Sequence, residues 1–183
     1  LNRDGAPRLV CVAAGNIPRE RIGPVFDSND AESCHDPAQS WNAITVGAYT
    51  EKDFPDPDNF PGWAPLAAPG TLCPASTVGK SWNSNWPIKP DIVMEGGNYM
   101  KNPENPGQAD TPDCLQLLTT HHRPYERMFA TTGDTSAAAA LAARFCAILK
   151  ANNPRRWPET IRALLIHSAE WTPQMSGWNS PLL

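Results

Sequence analysis

A serine at the start of an alanine-rich helix is the residue of this chain that is best placed to do chemistry. Residues 133–143 read Gly-Asp-Thr-Ser-Ala-Ala-Ala-Ala-Leu-Ala-Ala, a polar turn that leads into a strong helix pattern. A hydroxyl in the first helical turn faces the positive end of the helix dipole, and free backbone N–H groups there can receive an oxyanion. Ser136 is therefore a candidate nucleophile for acyl transfer. The alternative is capping alone, because Asp, Ser and Thr are favoured at helix starts.

A second candidate lies far upstream, at the end of a predicted strand. Residues 8–16 read Arg-Leu-Val-Cys-Val-Ala-Ala-Gly-Asn, a buried-strand pattern that ends in a Gly-Asn turn. The side-chain amide of Asn16 can donate a hydrogen bond to a developing oxyanion, and the small residues before it let a substrate backbone approach. An ordinary turn at the end of a strand is the alternative for this segment.

Both segments need a rigid scaffold, and the surrounding pattern predicts an α/β fold. Short β-branched runs bounded by Gly or Pro predict strands at residues 9–13, 43–49 and 92–94, with residues 115–118 as the weakest match. Because these runs alternate with helical patterns, they favour a parallel sheet.

Two helices are expected after the strands. The helix from about residue 135 to residue 150 is apolar almost all round, so we expect it to be buried on most sides. The next helix has Pro158 at a suitable first position and should cover the sheet with Ile161, Leu164 and Leu165.

Together these segments resemble the subtilisin-like serine peptidases, the subtilase family. Residues 43–48, Ala-Ile-Thr-Val-Gly-Ala, are similar to the strand that ends in the family's Val-Gly-Ala. Residues 89–97, Lys-Pro-Asp-Ile-Val-Met-Glu-Gly-Gly, are similar to its Lys-Pro-Asp-Val-Val-Ala-Pro-Gly segment, and residues 157–165 take the place of the helix after the serine. The matches occur in the family's order. The resemblance implies a subtilisin-like three-layer α/β fold with a parallel sheet, incomplete in this chain.

The resemblance also implies roles for individual residues. Ser136 would be the nucleophile and Asn16 the amide of the oxyanion hole. The residues that would help wall the pocket for the residue before the scissile bond are Ala13, Ala14 and Gly15. The chain departs from the family at Asp134, where Gly is usual, and at Ala140 and Glu95, where Pro is usual.

The general base and its partner are expected outside this chain. Subtilases carry their catalytic residues in the order Asp, His, Ser, and the first two precede the Ala-Ala-Gly-Asn segment. Only fifteen residues precede Asn16, and they contain neither Asp-Thr-Gly nor His-Gly-Thr. We therefore expect residues 1–183 to be one domain, the carboxyl-terminal portion of a subtilase catalytic domain that is inactive without its amino-terminal half. The four histidines, His35, His121, His122 and His167, are expected to be surface or helix-packing residues.

Composition narrows the partners. The net charge of -4 and the scattered basic residues give no basic stripe for nucleic acid, and no segment has the pattern of a membrane span or a membrane-surface helix. The five cysteines are an odd number and lack the spacing of a zinc site, so we expect a reduced, cytoplasmic protein without metal or cofactor.

Two proline-rich insertions interrupt the pattern, at about residues 53–87 and 101–127. The chain has 20 prolines, and their density predicts that these segments are loops rather than strands. In an enzyme such loops can border the cleft and shape substrate choice, but passive surface insertion is the favoured interpretation.

Three classes of function follow. The leading one is a serine endopeptidase that hydrolyses peptides or proteins through an acyl-enzyme on Ser136. The second is a catalytically degenerate subtilase that binds peptides or protein partners without cleaving them. The third is a non-enzymatic α/β interaction domain in which Ser136 only caps a helix.

Overall fold

The computed structural model describes residues 7–22, 32–79, 88–105 and 107–176, which contain nine short strands, three α-helices and two single-turn 3-10 helices. The strands are β1 (Cys11–Ala13), β2 (Ile44–Thr50), β3 (Ala64–Pro65), β4 (Thr71–Leu72), β5 (Ile92–Glu95), β6 (Met100–Lys101), β7 (Ala109–Asp110), β8 (Leu117–Thr120) and β9 (Phe129–Thr132). The helices are α1 (Asp134–Asn152), α2 (Pro158–His167) and α3 (Pro173–Ser176). The predicted mixed α/β class is confirmed.

The central sheet is built around β2, which pairs in parallel with β1 on one side and β5 on the other. The end of β2 also pairs antiparallel with β4. The sequence predicted the three parallel strands to within two residues at each end. Because parallel strands end at the same edge of a sheet, the turns after β1 and β5 both lie at the carboxyl edge, with β2 between the two strands.

Helix α1 packs on this sheet through a stripe of small residues. Ala138 and Ala142 are fully buried and join the core formed by β2 and β5. The expectation that α1 is buried on most sides is wrong for the described part of the chain, since Phe145 is 45% exposed and Ile148 is 44% exposed. The alanines let one face approach the sheet closely, and no described element covers the opposite face.

Helix α2 packs beside α1 and against the same core. Its buried residues are Ile161 and Leu165, whereas Leu164, which the sequence placed on the same side, is 43% exposed. Among the helices described, none is both long enough and apolar enough to cross a lipid bilayer.

The proline-rich stretches are not loops throughout. Strands β3, β6 and β7 form a small antiparallel sheet with β6 in the centre. Pro65 is accommodated because β3 is an edge strand, where a residue without an N–H costs no ladder hydrogen bond. The prediction of loops alone is therefore wrong for these short segments, while residues 80–87 and 106 of the insertions lie outside the described residues.

A buried ion pair connects the amino-terminal ends of β2 and β5 to α2. The ammonium of Lys89, whose side chain is 0% exposed, lies 2.6 Å from Asp91 Oδ2. Asp91 also accepts a hydrogen bond from the Thr45 N–H of β2 at 2.7 Å, and its Oδ1 lies 3.3 Å from the Arg162 guanidinium of α2. One carboxylate thus links β2, the start of β5 and α2.

We expect Asp91→Asn to lower the free energy of unfolding of the full-length protein by about 3 kcal/mol, because the buried Lys89 ammonium then loses its counter-charge. Denaturant titration followed by tryptophan fluorescence measures the change. The control is Asp58→Asn at an exposed loop position, which should change the free energy by less than about 0.5 kcal/mol. Equal losses in the two variants would contradict a stabilising role for the pair.

Candidate active site

Ser136 lies in the first turn of α1, and its side chain is exposed. Strand β9 leads into this turn through Gly133, and the first helical hydrogen bond runs from the Ala137 N–H to the Gly133 carbonyl at 3.2 Å. The Ser136 N–H precedes that bond and belongs to the unpaired donors of a helix start. Among the described residues, none is hydrogen-bonded to the Ser136 hydroxyl.

Asn16 is held beside this helix start by Thr135. Its Oδ1 accepts hydrogen bonds from the Thr135 N–H at 3.1 Å and from the Thr135 hydroxyl at 2.6 Å. Because a backbone N–H can only donate, the atom that faces it must be the amide oxygen. The NH₂ group of Asn16 therefore points away from Thr135, and it has no partner within the described ranges.

Thr135 connects the two candidate segments, a role that the sequence reasoning did not assign. Its side chain is fully buried, and its hydroxyl accepts a hydrogen bond from the Gly15 N–H at 3.3 Å while donating to Asn16 Oδ1. The position of Thr135 directly before the serine was the only signal in the sequence. The structure thus brings the turn after β1 and the start of α1 into direct contact.

The three predicted pocket residues lie on the same turn. Ala14 is fully buried and donates its N–H to the Val46 carbonyl of β2 at 2.9 Å. Gly15 has a φ of +115°, a conformation that favours glycine, and a Cβ there would lie 2.6 Å from the His35 ring. Ala13 ends β1 and is half-buried. Glycine is thus required at position 15 by the backbone and by the neighbouring imidazole, and the contact with His35 was not foreseen.

Asp134, at the position where glycine is usual in the family pattern, takes up a left-handed backbone conformation. Its φ is +60°, a region that costs an ordinary L residue about 1–2 kcal/mol and that Asp tolerates better than most. Its N–H donates to the Gly96 carbonyl at 2.7 Å, and its carboxylate accepts the Tyr99 hydroxyl at 3.0 and 3.2 Å. Burial raises the pKa of the Asp134 carboxyl, and the Tyr99 hydrogen bond and the more distant Arg19 oppose that rise.

Glu95 stands where the family pattern has proline, and its carboxylate closes the turn after β5. It accepts hydrogen bonds from the Glu51 N–H and from the Gly97 N–H, each at 2.7 Å. The turn is therefore fixed by hydrogen bonds rather than by a proline ring.

No histidine of this chain is placed as a base for Ser136. All four lie within the described ranges, and none is hydrogen-bonded to the serine. His121 and His122 contact each other with their ring centroids 4.3 Å apart on the exposed turn between β8 and β9. The described part of the chain also holds no group of three His, Cys, Asp or Glu side chains that could bind a metal ion.

The raised pKa of Asp134 gives a pH dependence of stability. A carboxyl that ionises less readily in the folded state makes the free energy of unfolding fall as the pH rises above about 3.9, the value in an unfolded chain. Asp134→Asn removes this loss, so we expect the free energy of unfolding of the variant, minus that of the wild type, to increase with pH. Denaturant titrations across the acidic to neutral range measure it.

The Tyr99 hydroxyl provides an internal check on this pH dependence. Because its hydrogen bond lowers the pKa of Asp134, Tyr99→Phe should steepen the fall of stability with pH. A difference between Asp134→Asn and the wild type that shrinks as the pH rises would show that the carboxylate is not penalised by burial.

Two comparisons with known proteins agree with this arrangement. The sequence model of the subtilase family, a family of serine peptidases, matches residues 1–181. The chain is 31% identical over 146 residues to the uncharacterized protein y4bN of Sinorhizobium fredii, a match that covers 77% of this chain and 33% of that protein. The chain thus spans about a third of the length of the curated relative it matches. With the family's Ala-Ala-Gly-Asn turn placed against its Thr-Ser helix start, the chain belongs to the subtilase family.

Proposed function

We propose that this chain is the nucleophile-bearing part of a serine endopeptidase whose substrates are peptides or proteins. The observation that carries the proposal is the fixed orientation of Asn16, whose amide oxygen is bound by Thr135 so that its NH₂ group is free to donate. The exposed hydroxyl of Ser136 lies one residue beyond Thr135. A hydroxyl, a helix-start N–H and an oriented amide are the groups that acyl transfer from a peptide requires.

In the proposed reaction the Ser136 oxygen attacks the carbonyl carbon of the scissile peptide bond. The hydroxyl proton passes to a histidine base, and the carbonyl oxygen becomes an oxyanion that accepts hydrogen bonds from Asn16 Nδ2 and the Ser136 N–H. Collapse of this intermediate expels the amine, which takes the proton from the histidine. Water then attacks the carbonyl carbon of the acyl-enzyme, with the histidine again taking the proton. The Ser136 oxygen leaves and takes that proton back, which releases the carboxylic acid.

The histidine and its aspartate are proposed to come from an amino-terminal half of the same protein. Two observations support this. The four histidines of this chain leave Ser136 without a base, and β1 pairs with β2 on one side while no described strand occupies its other edge. An open parallel edge next to the Asn16 turn is where a further strand would extend the sheet.

The location and the remaining partners belong to the same proposal. The five cysteines are all free thiols, which favours a reducing compartment and hence the cytoplasm. The net charge of -4 and the scattered basic residues of the sequence disfavour a nucleic-acid partner, and neither a membrane nor a cofactor has a part in the proposed reaction.

Labelling of Ser136 tests the proposed nucleophile. In the full-length protein, which includes the upstream half, a fluorophosphonate probe should react covalently at Ser136, and Ser136→Ala should abolish both labelling and peptide hydrolysis. Peptide mapping by mass spectrometry locates the adduct. A matched control is Ser168→Ala, directly after α2, which should leave labelling at the wild-type level.

Two other results would overturn the peptidase proposal. A full-length protein that neither labels nor hydrolyses peptides, yet binds them with or without Ser136, would instead be a degenerate subtilase. The half-buried Asp134 carboxylate, in place of the family's glycine, is the departure that would favour this outcome. A protein that neither labels nor binds peptides would be an interaction domain whose serine only caps α1.

Removal of the Asn16 amide tests the oxyanion hole. We expect Asn16→Ala to lower kcat by about 10- to 100-fold with KM little changed, because a hydrogen bond to a charged group contributes about 1.5–3 kcal/mol and forms only with the oxyanion. Steady-state kinetics on a chromogenic peptide measures both constants. A raised KM with unchanged kcat would place Asn16 in substrate binding instead.

A further inference from the structure

We propose that Tyr99 and Asp134 form a positioning pair: the Tyr99 hydroxyl holds Asp134 in the left-handed conformation that turns β9 into α1 and thereby sets the direction of Thr135 and Ser136. The inference rests on the proposed peptidase function for its kinetic consequence only. Its structural consequence can be measured in a protein without activity.

The backbone at Asp134 must be held against its own preference. With φ at +60°, an L residue is strained, and residue 134 is not the glycine that would adopt this conformation without strain. Asp tolerates the region when its side chain finds a hydrogen-bond partner nearby. That partner is Tyr99, whose hydroxyl reaches both carboxylate oxygens.

The carboxylate is directed into the protein rather than towards Ser136. Tyr99 is 4% exposed, and Cys73, whose sulfur lies 4.0 Å from Asp134 Oδ1, is fully buried. The described cations and acids around the pair are Arg19, whose charge lowers the pKa of Asp134, and Glu95, whose charge acts on Cys73. The negative charge of Asp134 thus lies among buried groups, while the Ser136 hydroxyl is exposed.

Tyr99 is itself fixed by the first proline-rich insertion. Its carbonyl accepts the Leu66 N–H at 2.7 Å, and the fully buried Asn98 beside it accepts the Ala67 N–H at 3.2 Å. Asn98 also donates to the Lys52 and Ala67 carbonyls at 2.6 and 2.8 Å. The insertion therefore holds the segment that carries Tyr99 in place by hydrogen bonds, so it is more than a passive surface loop.

The tether reaches the candidate oxyanion hole within one residue. Thr135 follows Asp134, and its N–H and hydroxyl are the two groups that orient Asn16. A change in φ at residue 134 rotates the Thr135 N–H away from Asn16 Oδ1. The predicted cost of losing the tether is a misdirected catalytic group rather than a lost substrate contact.

Four variants of the full-length protein separate conformation from charge. Tyr99→Phe removes the tether, and Asp134→Ala removes both the tether and the tolerance of positive φ. Asp134→Gly removes the tether but accepts positive φ, and Asp134→Asn keeps an acceptor and that tolerance without charge. We expect kcat to fall about tenfold in Tyr99→Phe and Asp134→Ala with KM unchanged, less in Asp134→Gly, and about twofold or less in Asp134→Asn.

Matched controls are Tyr125→Phe, at a side chain that is 83% exposed, and Asp58→Ala, at an exposed loop position; both should behave as wild type. Hydrogen exchange of the Thr135 amide gives a readout that does not depend on activity. It should speed up about tenfold in Tyr99→Phe, relative to the Ala14 amide, which is bonded to the Val46 carbonyl of the sheet.

Each result has a definite meaning. Unchanged Thr135 exchange in Tyr99→Phe, or loss of stability in that variant with kcat unchanged, overturns the positioning pair. Equal losses in Asp134→Gly and Asp134→Ala overturn its conformational part. Thr135 exchange can also speed up in Tyr99→Phe while the wild-type protein neither labels at Ser136 nor hydrolyses peptides. That result supports the pair and overturns the peptidase function instead.

Discussion

The hydrogen bonds between Thr135 and Asn16 are the interaction on which the rest of the site depends. They join the start of α1 to the turn after β1, two segments that are 119 positions apart in the chain. Both segments depend on the sheet, because β2 holds β1 and β5 in register and so places the turns after these strands at one edge. The start of α1 is joined to the turn after β5 by the hydrogen bond from the Asp134 N–H to the Gly96 carbonyl. The fully buried Thr135 then converts this closeness into direction: by occupying the amide oxygen of Asn16, it determines where the amide nitrogen points.

The two carboxylates that depart from the family pattern each accept hydrogen bonds from donors of this chain. Asp134 in place of glycine is supplied with the Tyr99 hydroxyl, and Glu95 in place of proline is supplied with two backbone N–H groups. Each carboxylate would be unfavourable without these partners, because burying a charge that has no hydrogen-bond partner costs free energy. In this chain both turns are therefore held by hydrogen bonds to a carboxylate.

The sequence predicted the elements that repeat a simple pattern and missed those that depend on distant contacts. The parallel strands, α1 and α2 follow from β-branched runs and helical spacing, and the Gly-Asn segment that contains Asn16 follows β1 as predicted. The role of Thr135, the contact of His35 with Gly15 and the tether from Tyr99 to Asp134 could not be predicted, because each joins residues from separate elements. The one-sided burial of α1 was missed because apolar composition does not say whether a second layer is present.

The proline-rich insertions show how an irregular segment can stabilise a regular one. The first insertion contributes β3 and the backbone groups of Leu66 and Ala67, which satisfy the fully buried Asn98 and fix Tyr99. An amide buried at 0% exposure must have its hydrogen bonds filled, and here the partners are the N–H and carbonyl of Ala67 in that insertion, the Lys52 carbonyl after β2 and the N–H of Tyr99. Displacing the insertion would remove the two Ala67 hydrogen bonds of Asn98 and the Leu66 hydrogen bond to the Tyr99 carbonyl. The turn before the proposed nucleophile is thus coupled to a surface segment by polar satisfaction, and its rigidity is set as much by the insertion as by the helix that carries Ser136.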